Sequence, residues 1–287
     1  MKNRQNFHWI LLGPTLLFLG FSLVMPLLML IILSFHKVDP LMNILPDYSV
    51  SQYLQILSSG MFVKTIFTTL MVALITTVFC IVLAYPAAYL LVYAPNRWIR
   101  ALFYTLLVSP LLTSVVVRTF AWIVLLAQNG LINEILKEMK IITKPLSLLW
   151  NMKAVIIAYI QVMLPFAVLP IVNSISEINP SLKKASMSLG AGKIRTFIRV
   201  TLPLTIPGMI SGTVIVFSLA AGSYITPMLV GGSLQPLLPL IIYQQALQIM
   251  NFPMAGALSI LLLLAVLIVI LILEIILNRW EARFHAS

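Results

Sequence analysis

Six long runs of apolar residues, each almost free of charged side chains, constrain this chain of 287 residues more than any other feature. A run of about 20 apolar residues is long enough to cross the hydrocarbon core of a bilayer as an α-helix. Because 61% of the residues are hydrophobic and only 9% are charged, a water-soluble fold could not bury them all. The sequence therefore predicts an all-α membrane protein, a single transmembrane domain over 1–287 with spans at about 9–35, 66–94, 101–127, 153–175, 205–230 and 254–278.

The basic residues between the spans predict the orientation of the chain. The two termini and the segments at 95–100 and 176–204 carry eleven Lys and Arg residues, whereas the opposite side carries six. Because cytoplasmic segments carry the excess of Lys and Arg, both termini and the 176–204 segment are predicted to be cytoplasmic. The net charge of +11 is thus explained by insertion into a plasma (inner) membrane as a multi-pass protein, without nucleic-acid binding.

Residues that would support catalysis or metal binding are few and scattered. Cys80 is the only cysteine, and the three histidines lie near the ends of spans or at the terminus. The stretch nearest to a phosphate-binding G-x-x-x-x-G-K-[ST] loop is Ala191-Gly192-Lys193-Ile194, which lacks the first glycine and the hydroxyl residue. We therefore predict no enzyme activity, no cofactor and no metal site in this chain, which argues against the alternative of a membrane-embedded enzyme.

The 176–204 segment carries five basic residues and predicts two short amphipathic helices. Asn179-Pro180 is typical of a helix N-cap followed by proline at the first helical position, and Gly190 is well placed to end that helix. A second helix is predicted from about Lys193 to Val200. Helices that lie on anionic lipid headgroups would show the same pattern, so this alternative stays open.

The spacing within this segment resembles a loop of ABC importer permeases. That loop has the form Glu-Ala-Ala, three residues, Gly, nine residues, Ile-x-Leu-Pro. Here nine residues separate Gly190 from Val200, Leu202-Pro203 follows, and Lys184 stands where the family has Glu. Other stretches are similar to spermidine/putrescine-type permeases and occur in the same order: Tyr85-Pro86-Ala87-Ala88-Tyr89, Ser109-Pro110, Val117-Arg118-Thr119-Phe120-Ala121-Trp122, Gly130-Leu131-Ile132-Asn133, Leu164-Pro165-Phe166, Gly231-Gly232 and Phe252-Pro253-Met254-Ala255-Gly256-Ala257.

The resemblance implies a type I ABC importer permease-like fold, with six transmembrane helices and a cytoplasmic coupling-helix loop that docks on an ATPase subunit. Besides the lipid bilayer, it implies three protein partners: a dimer of ATP-binding cassette ATPase subunits, a second homologous permease subunit and an extracytoplasmic solute-binding protein. The chain would then form half of the pathway for a small solute such as spermidine or putrescine. The residues that this resemblance assigns to coupling are Lys184, Ala185, Ser186, Leu189, Gly190, Ala191, Arg195, Leu202 and Pro203.

Polar residues inside the apolar runs are candidates for the translocation path, because such residues are expensive in lipid. Arg118 lies about 17 residues into the third run, or roughly 26 Å along a straight helix, toward the outer interface. There it would snorkel, form an ion pair, line the path or contact the delivery protein. The remaining candidates could equally make helix–helix hydrogen bonds or, for Trp122, join the aromatic belt of the interface: Trp122, Tyr159, Gln161, Ser223, Tyr224 and Thr226.

The solute class stays open at the sequence level, because no carboxylate lies in the middle of any apolar run. A polycation would have to be bound by aromatic faces, backbone carbonyls or the partner permease. An anionic or zwitterionic solute, such as an opine, an amino-acid derivative or a phosphonate, is the alternative, with Arg118 as one contact. A stand-alone carrier is a further hypothesis, but the runs lack the acidic residues that ion coupling uses.

Overall fold

The structure, a computed structural model, describes residues 2–231 and 236–285, and most of these residues are helical. Apolar runs form helices in lipid because every backbone N–H and C=O must find a partner within the protein. The helices are α1 (Lys2–Ser34), α2 (Ser51–Ser58), α3 (Gly60–Tyr93), α4 (Arg97–Val108), α5 (Val115–Leu126), α6 (Leu131–Glu138), α7 (Met152–Glu177), α8 (Pro180–Ser188), α9 (Lys193–Thr196), α10 (Leu202–Leu204), α11 (Ile206–Gly222), α12 (Leu238–Tyr243) and α13 (Phe252–His285).

Among the described residues, five helical stretches are long and apolar enough to cross a membrane. A sixth is present if the stretches Lys193–Leu204 and Ile206–Gly222, which meet at an angle of 56°, count as one bent span. The predicted class of a multi-span helical membrane protein is therefore confirmed. The five stretches are Leu12–Ser34, Gly60–Tyr93, Val115–Glu138, Met152–Glu177 and Phe252–Arg279.

The third predicted span, 101–127, is not one continuous helix, and that prediction is wrong. After α4 the chain forms a 3₁₀ turn at Ser109–Leu112, and Thr113 is extended with φ of −99° and ψ of 141°. Helix α5 begins only at Val115. Proline at 110 lacks a backbone donor, and hydroxyl side chains compete for backbone partners: Thr113 Oγ1 donates to the Ser109 carbonyl at 3.1 Å.

The fifth predicted span, 205–230, is also interrupted. Helix α11 ends at Gly222, and Ser223 is extended with φ of −81° and ψ of 129°. A π-helical turn at Pro227–Gly231 follows. A membrane helix can be interrupted in this way where neighbouring helices satisfy the freed backbone groups or where the break lines a cavity.

The chain forms two compact units, and the first comprises Met1–Val63 with Ile241–Leu263. Its antiparallel hairpin, β1 (His36–Val38) and β2 (Ile44–Tyr48), pairs His36 with Tyr48, so the expectation of an all-α chain misses these short strands. The Asp39 carboxylate accepts bonds from the side chain and N–H of Asn43 and from the N–H of Leu41, which together hold its pKa below the usual value.

The second unit comprises Lys64–Leu240 with Leu264–Ser287, and its core lies where α3, α7 and α11 meet. Small residues allow these helices to approach closely, as in other membrane bundles. A Cβ atom built on Gly208 of α11 would lie 2.6 Å from the Pro170 carbonyl oxygen and 2.5 Å from Ser174 Oγ, both on α7. Large side chains fill the rest of the core without exposure, notably Tyr159, Phe217, Ile171 and Val216.

Asn133 fastens the connection between α5 and α7 within the second unit. Its side chain is fully buried, and Nδ2 donates to the carbonyls of Ala127 and Leu146, both at 3.0 Å. Its Oδ1 accepts from the N–H of Leu146 at 2.8 Å. A buried amide that uses both donors and one acceptor position fixes two loop segments to α6, which positions the C-terminal end of α5.

Candidate coupling segment and translocation cavity

The residues 176–204, hereafter the coupling segment, begin with a capped helix. The side-chain oxygen of Asn179 accepts a bond from the backbone N–H of Ser181 at 3.0 Å, and Pro180 occupies the first position of α8. The asparagine supplies a partner for an N–H that the helix leaves free, and proline has no N–H to lose there. The predicted start of this helix is confirmed.

Helix α8 ends in a glycine motif that redirects the chain. Gly190 has φ of +80°, its N–H donates to the Met187 carbonyl at 3.0 Å, and the Ala191 N–H donates to the Ser186 carbonyl at 3.1 Å. These two bonds define a Schellman motif, which requires a left-handed residue. Glycine adopts that conformation without the steric penalty of a Cβ atom, so the predicted helix end at Gly190 is confirmed.

The second half of the coupling segment extends further than predicted. Helix α9 continues through a π-helical turn at Phe197–Thr201 into α10, and the chain then bends at Thr205 into α11. The predicted end near Val200 is wrong because the Leu202 N–H donates to the Phe197 carbonyl and carries the helix onward. The turn at Gly190, hereafter the glycine hinge, separates the two halves of the coupling segment. The hydroxyl oxygens of Ser186 and Thr196, one in each half, lie 3.0 Å apart and join the two halves.

Apolar side chains beside the hinge face outward. Leu189 is 88% exposed and Ile194 is 77% exposed, so both are available to a partner or to lipid headgroups. The predicted coupling residues differ in how exposed they are in the structure. Lys184, Ala185, Leu189, Gly190 and Arg195 are exposed, Ser186, Ala191 and Leu202 are half-buried, and Pro203 is buried.

Sequence reasoning missed the surface on which the coupling segment rests. This surface consists of Tyr85, Tyr89 and Tyr93 on α3, hereafter the tyrosine stripe, and it contacts Lys183 and Phe197. The four-residue spacing of the tyrosines is a visible signal, since it places three rings on one helix face. The residues that they contact are about 100 positions away, so periodicity alone could not name them.

Arg118 lines a cavity of about 640 Å³ in the second unit. The restart of the helix at Val115 places Arg118 in the first turn of α5, so its expected position along a straight helix is wrong. Its Nε and Nη1 atoms are buried and have no hydrogen-bond partner among the described residues. The cavity is also lined by Thr113, Ser114, Phe166, Ser218 and Ser223.

Two hydrogen bonds involve other path candidates on the elements around this cavity. Trp122 Nε1 donates to Gln161 Oε1 at 3.3 Å, which joins α5 to α7. The Tyr159 hydroxyl donates to the Ser223 carbonyl at 2.7 Å and satisfies the backbone where α11 ends. Tyr159 is fully buried, so it supports the cavity wall from behind. Thr226 is buried, its Oγ1 has no hydrogen-bond partner within residues 2–231 and 236–285, and Tyr224 is half-buried.

The side chains that line this cavity are suited to binding a solute. Arg118 brings a guanidinium to the cavity wall, a group whose fork of N–H donors suits a carboxylate or phosphate oxygen pair. The hydroxyls around it both donate and accept, and Phe166 contributes an aromatic face. Across residues 2–231 and 236–285, no three His, Cys, Asp or Glu side chains are grouped as metal ligands would be.

Interrupted membrane helices around a cavity, together with an exposed, capped segment between two spans, are typical of a membrane transport permease. The chain belongs to the family described as binding-protein-dependent transport system inner membrane component, whose model matches residues 80–285. It is therefore a multi-pass inner-membrane protein.

Known proteins resemble it over nearly its whole length. The spermidine/putrescine transport system permease protein PotB of Salmonella typhimurium is 32% identical over 272 residues, 95% of this chain and 94% of PotB. PotB of Escherichia coli is 33% identical over 248 residues, 86% of this chain and 90% of that protein. The predicted resemblance to spermidine/putrescine-type permeases is confirmed.

A solved structure shares the fold. A bacterial ABC transporter involved in the import of the acidic polysaccharide alginate superposes with a TM-score of 0.80 at 19% identity, over 96% of each chain. At that identity the likeness establishes the fold alone, and it confirms the expected importer-permease architecture.

Proposed function

We propose that this importer permease forms half of a translocation pathway for a polyamine such as spermidine or putrescine. The similarity to PotB over 95% of the chain carries the proposal. A path through a single chain of this kind is incomplete, so a second homologous permease supplies the other half. The chain acts as one permease domain over 1–287, with the bent pair Lys193–Leu204 and Ile206–Gly222 counted as one of six spans.

Energy for transport comes from a dimer of ATP-binding cassette ATPase subunits that binds the coupling segment. Two features support this: the hinge exposes Leu189 and Ile194, and the Schellman motif fixes the angle between the two halves of the segment. A rigid surface transmits force to the bundle, whereas a slack linker would absorb it. Solute arrives on an extracytoplasmic binding protein, as the name of the family indicates.

The excess of basic residues supports an orientation with both termini and the coupling segment in the cytoplasm. The hairpin at residues 36–48 then lies on the side from which the binding protein approaches, and the ATPase meets the opposite side. Both placements follow from one orientation, so a single mapping experiment tests them together.

Arg118 favours a second candidate solute class. A half-buried guanidinium on the wall of a cavity attracts an anionic group and repels a polycation. An anionic or zwitterionic solute would place its acid on Arg118. A polyamine would require a carboxylate from the second permease to occupy that position first.

The decisive experiment uses the permease reconstituted in vesicles with its ATPase, second permease and binding protein. Labelled spermidine is offered alone and in competition with excess putrescine or with excess of an acidic amino acid. The polyamine proposal expects ATP-dependent uptake that putrescine reduces. No uptake of labelled spermidine, together with ATP-dependent uptake of the acidic amino acid when that solute carries the label, would instead support the second candidate.

A further inference from the structure

The tyrosine stripe occupies the last three turns of α3. Tyr85, Tyr89 and Tyr93 follow one another at intervals of four residues, so their side chains lie on one face of the helix. The rings of Tyr89 and Tyr93 have centroids 4.6 Å apart, and both side chains remain about 40% exposed. The stripe is thus a continuous aromatic surface at the end of a long membrane helix.

Both halves of the coupling segment rest on this surface. On α8, the ammonium group of Lys183 donates to the Tyr93 hydroxyl and lies 3.8 Å from the centroid of the Tyr93 ring and 5.8 Å from that of Tyr89. Beyond the glycine hinge, the Phe197 ring meets Tyr85 and Tyr89 edge to face, at centroid distances of 5.7 and 5.9 Å. Tyr89 therefore contacts residues on both sides of Gly190.

A third contact joins the stripe to the bend at the start of α11. The hydroxyl oxygens of Tyr85 and Thr205 lie 3.1 Å apart, and Thr205 Oγ1 also donates to the Leu202 carbonyl at 2.8 Å. Thr205 is fully buried at the point where the chain turns by 56°. One helix face thus holds α8, the π-helical turn and the bend in a fixed relation.

The covalent connections of the coupling segment lead elsewhere. Its first residues continue from α7 through Ile178, and its last residues continue into α11 through Thr205. Helix α3 has no such connection to the segment, so it follows a movement of the segment only through side chains.

We propose that the tyrosine stripe is the joint that makes α3 move with the coupling segment, with Tyr89 as its central positioning residue and Lys183 and Phe197 as its two contacts. This inference rests on the proposed coupling function, because it assigns the route by which motion of the segment reaches a third membrane helix.

The first test measures the joint in the permease alone, in nanodiscs, by spin-label distances. Labels are placed at Ser181 and Val82 in a Cys80→Ala background, since both positions are exposed. Tyr89→Ala and Lys183→Met are each expected to broaden the distance distribution. Tyr89→Phe retains the ring and is expected to keep it narrow, as is Phe79→Ala, which removes an exposed ring from the same helix.

The second test uses the assembled transporter and records ATP hydrolysis and labelled spermidine uptake separately. Tyr89→Ala is expected to keep ATP hydrolysis and to lower the uptake per ATP by about tenfold, within the usual range of coupling between sites. Tyr89→Phe is expected to retain the wild-type uptake per ATP, because it keeps the ring. A Tyr89→Ala permease with normal uptake per ATP and a narrow distance distribution would overturn the joint.

The two tests separate the joint from the proposed function. Failure of the permease to bind any ATPase would refute the proposed function, while a broadened distribution in the isolated Tyr89→Ala permease would still support a joint. Conversely, wild-type coupling in both Tyr89→Ala and Lys183→Met would remove the joint and leave the importer function standing.

Discussion

At the scale of single residues, Arg118 and Gly190 occupy positions with unusual energetic requirements. Arg118 buries two nitrogens without a partner among the described residues, a state that typically destabilises a folded chain by about 1–3 kcal/mol. Gly190 holds a left-handed conformation that costs other residues about 1–2 kcal/mol. The Schellman motif at the end of α8 explains the glycine at 190, whereas no contact among the described residues explains the two Arg118 nitrogens, so Arg118 points to a role in binding.

Arg118→Leu is expected to raise the thermal stability of the isolated permease while lowering uptake by the assembled transporter. Stability rises because the substitution removes an unsatisfied buried cation, and uptake falls because the cavity loses its anion-binding group. Thermal unfolding in detergent and uptake in vesicles measure the two effects. Arg100→Leu, an exposed position on α4, is the control. A clear loss of stability in Arg118→Leu would show that Arg118 already has a structural partner.

Gly190→Ala is expected to lower ATP-dependent uptake by about fivefold, because roughly 1 kcal/mol of backbone strain disfavours the correct helix end. Gly190→Pro should abolish uptake, since it also removes the N–H that bonds the Met187 carbonyl. Membrane levels are measured in parallel to show that insertion is intact. Gly192→Ala is the matched control, because Gly192 has φ of −67° and open space around its Cα. Equal effects at positions 190 and 192 would contradict the argument.

At the scale of elements, the predictions that succeeded rest on local signals. The N-cap at Asn179 and the glycine motif at Gly190 are encoded within four or five residues, so the sequence predicts the bounds of α8 well. The break at Ser109–Ser114 and the short hairpin at residues 36–48 were missed. Both depend on local side-chain bonds that a search for apolar periodicity overlooks, the Thr113–Ser109 bond at the break and the Asn43–Asp39 bonds in the hairpin turn. The Lys183–Tyr93 contact spans 90 residues, beyond any periodicity argument.

Helices α7 and α11 form the element pair on which the second unit depends most. Gly208→Ala is expected to destabilise the permease by about 1–3 kcal/mol, because the added methyl group would overlap the Pro170 carbonyl and the Ser174 side chain. Thermal unfolding in detergent measures the loss. Gly20→Ala in α1, where no atom lies within 4 Å of the added carbon, should leave stability unchanged. A stable Gly208→Ala protein would mean that the helices can separate without penalty.

At the scale of the whole molecule, the spans differ widely in how much of their surface the chain itself covers. Half of the apolar window of α7 is buried, against 33% for α3 and 6% for α13. Composition predicted all of these as apolar spans, because a helix facing lipid and a helix facing protein are equally hydrophobic. The sequence therefore predicts the class of fold but does not distinguish the core helices from the peripheral ones.

Cysteine mapping tests the orientation of the whole chain. In a Cys80→Ala background, Leu41→Cys in the hairpin is expected to react with a membrane-impermeant maleimide in right-side-out vesicles. Ser188→Cys in the coupling segment should react only after permeabilisation, since the basic excess places it in the cytoplasm. Both positions are exposed, so access to the reagent is not limited by folding. The reverse labelling pattern would invert the proposed topology and separate the coupling segment from any cytoplasmic ATPase.

The interruption at Ser223 has a consequence for the lipid environment. Helix α11, the longer arm of the bent span, has 17 residues and so measures about 26 Å, shorter than the roughly 30 Å of a typical hydrocarbon layer, and the bend of 56° turns the other arm, Lys193–Leu204, away from its axis. The shortfall can be met by local thinning of the membrane, or by non-helical backbone below the headgroups, which the Tyr159 hydroxyl makes tolerable by satisfying the Ser223 carbonyl. The acyl-chain length of the surrounding lipids should therefore influence the conformation of this transporter. Lipids with shorter tails should favour the conformation in which α11 ends at Gly222.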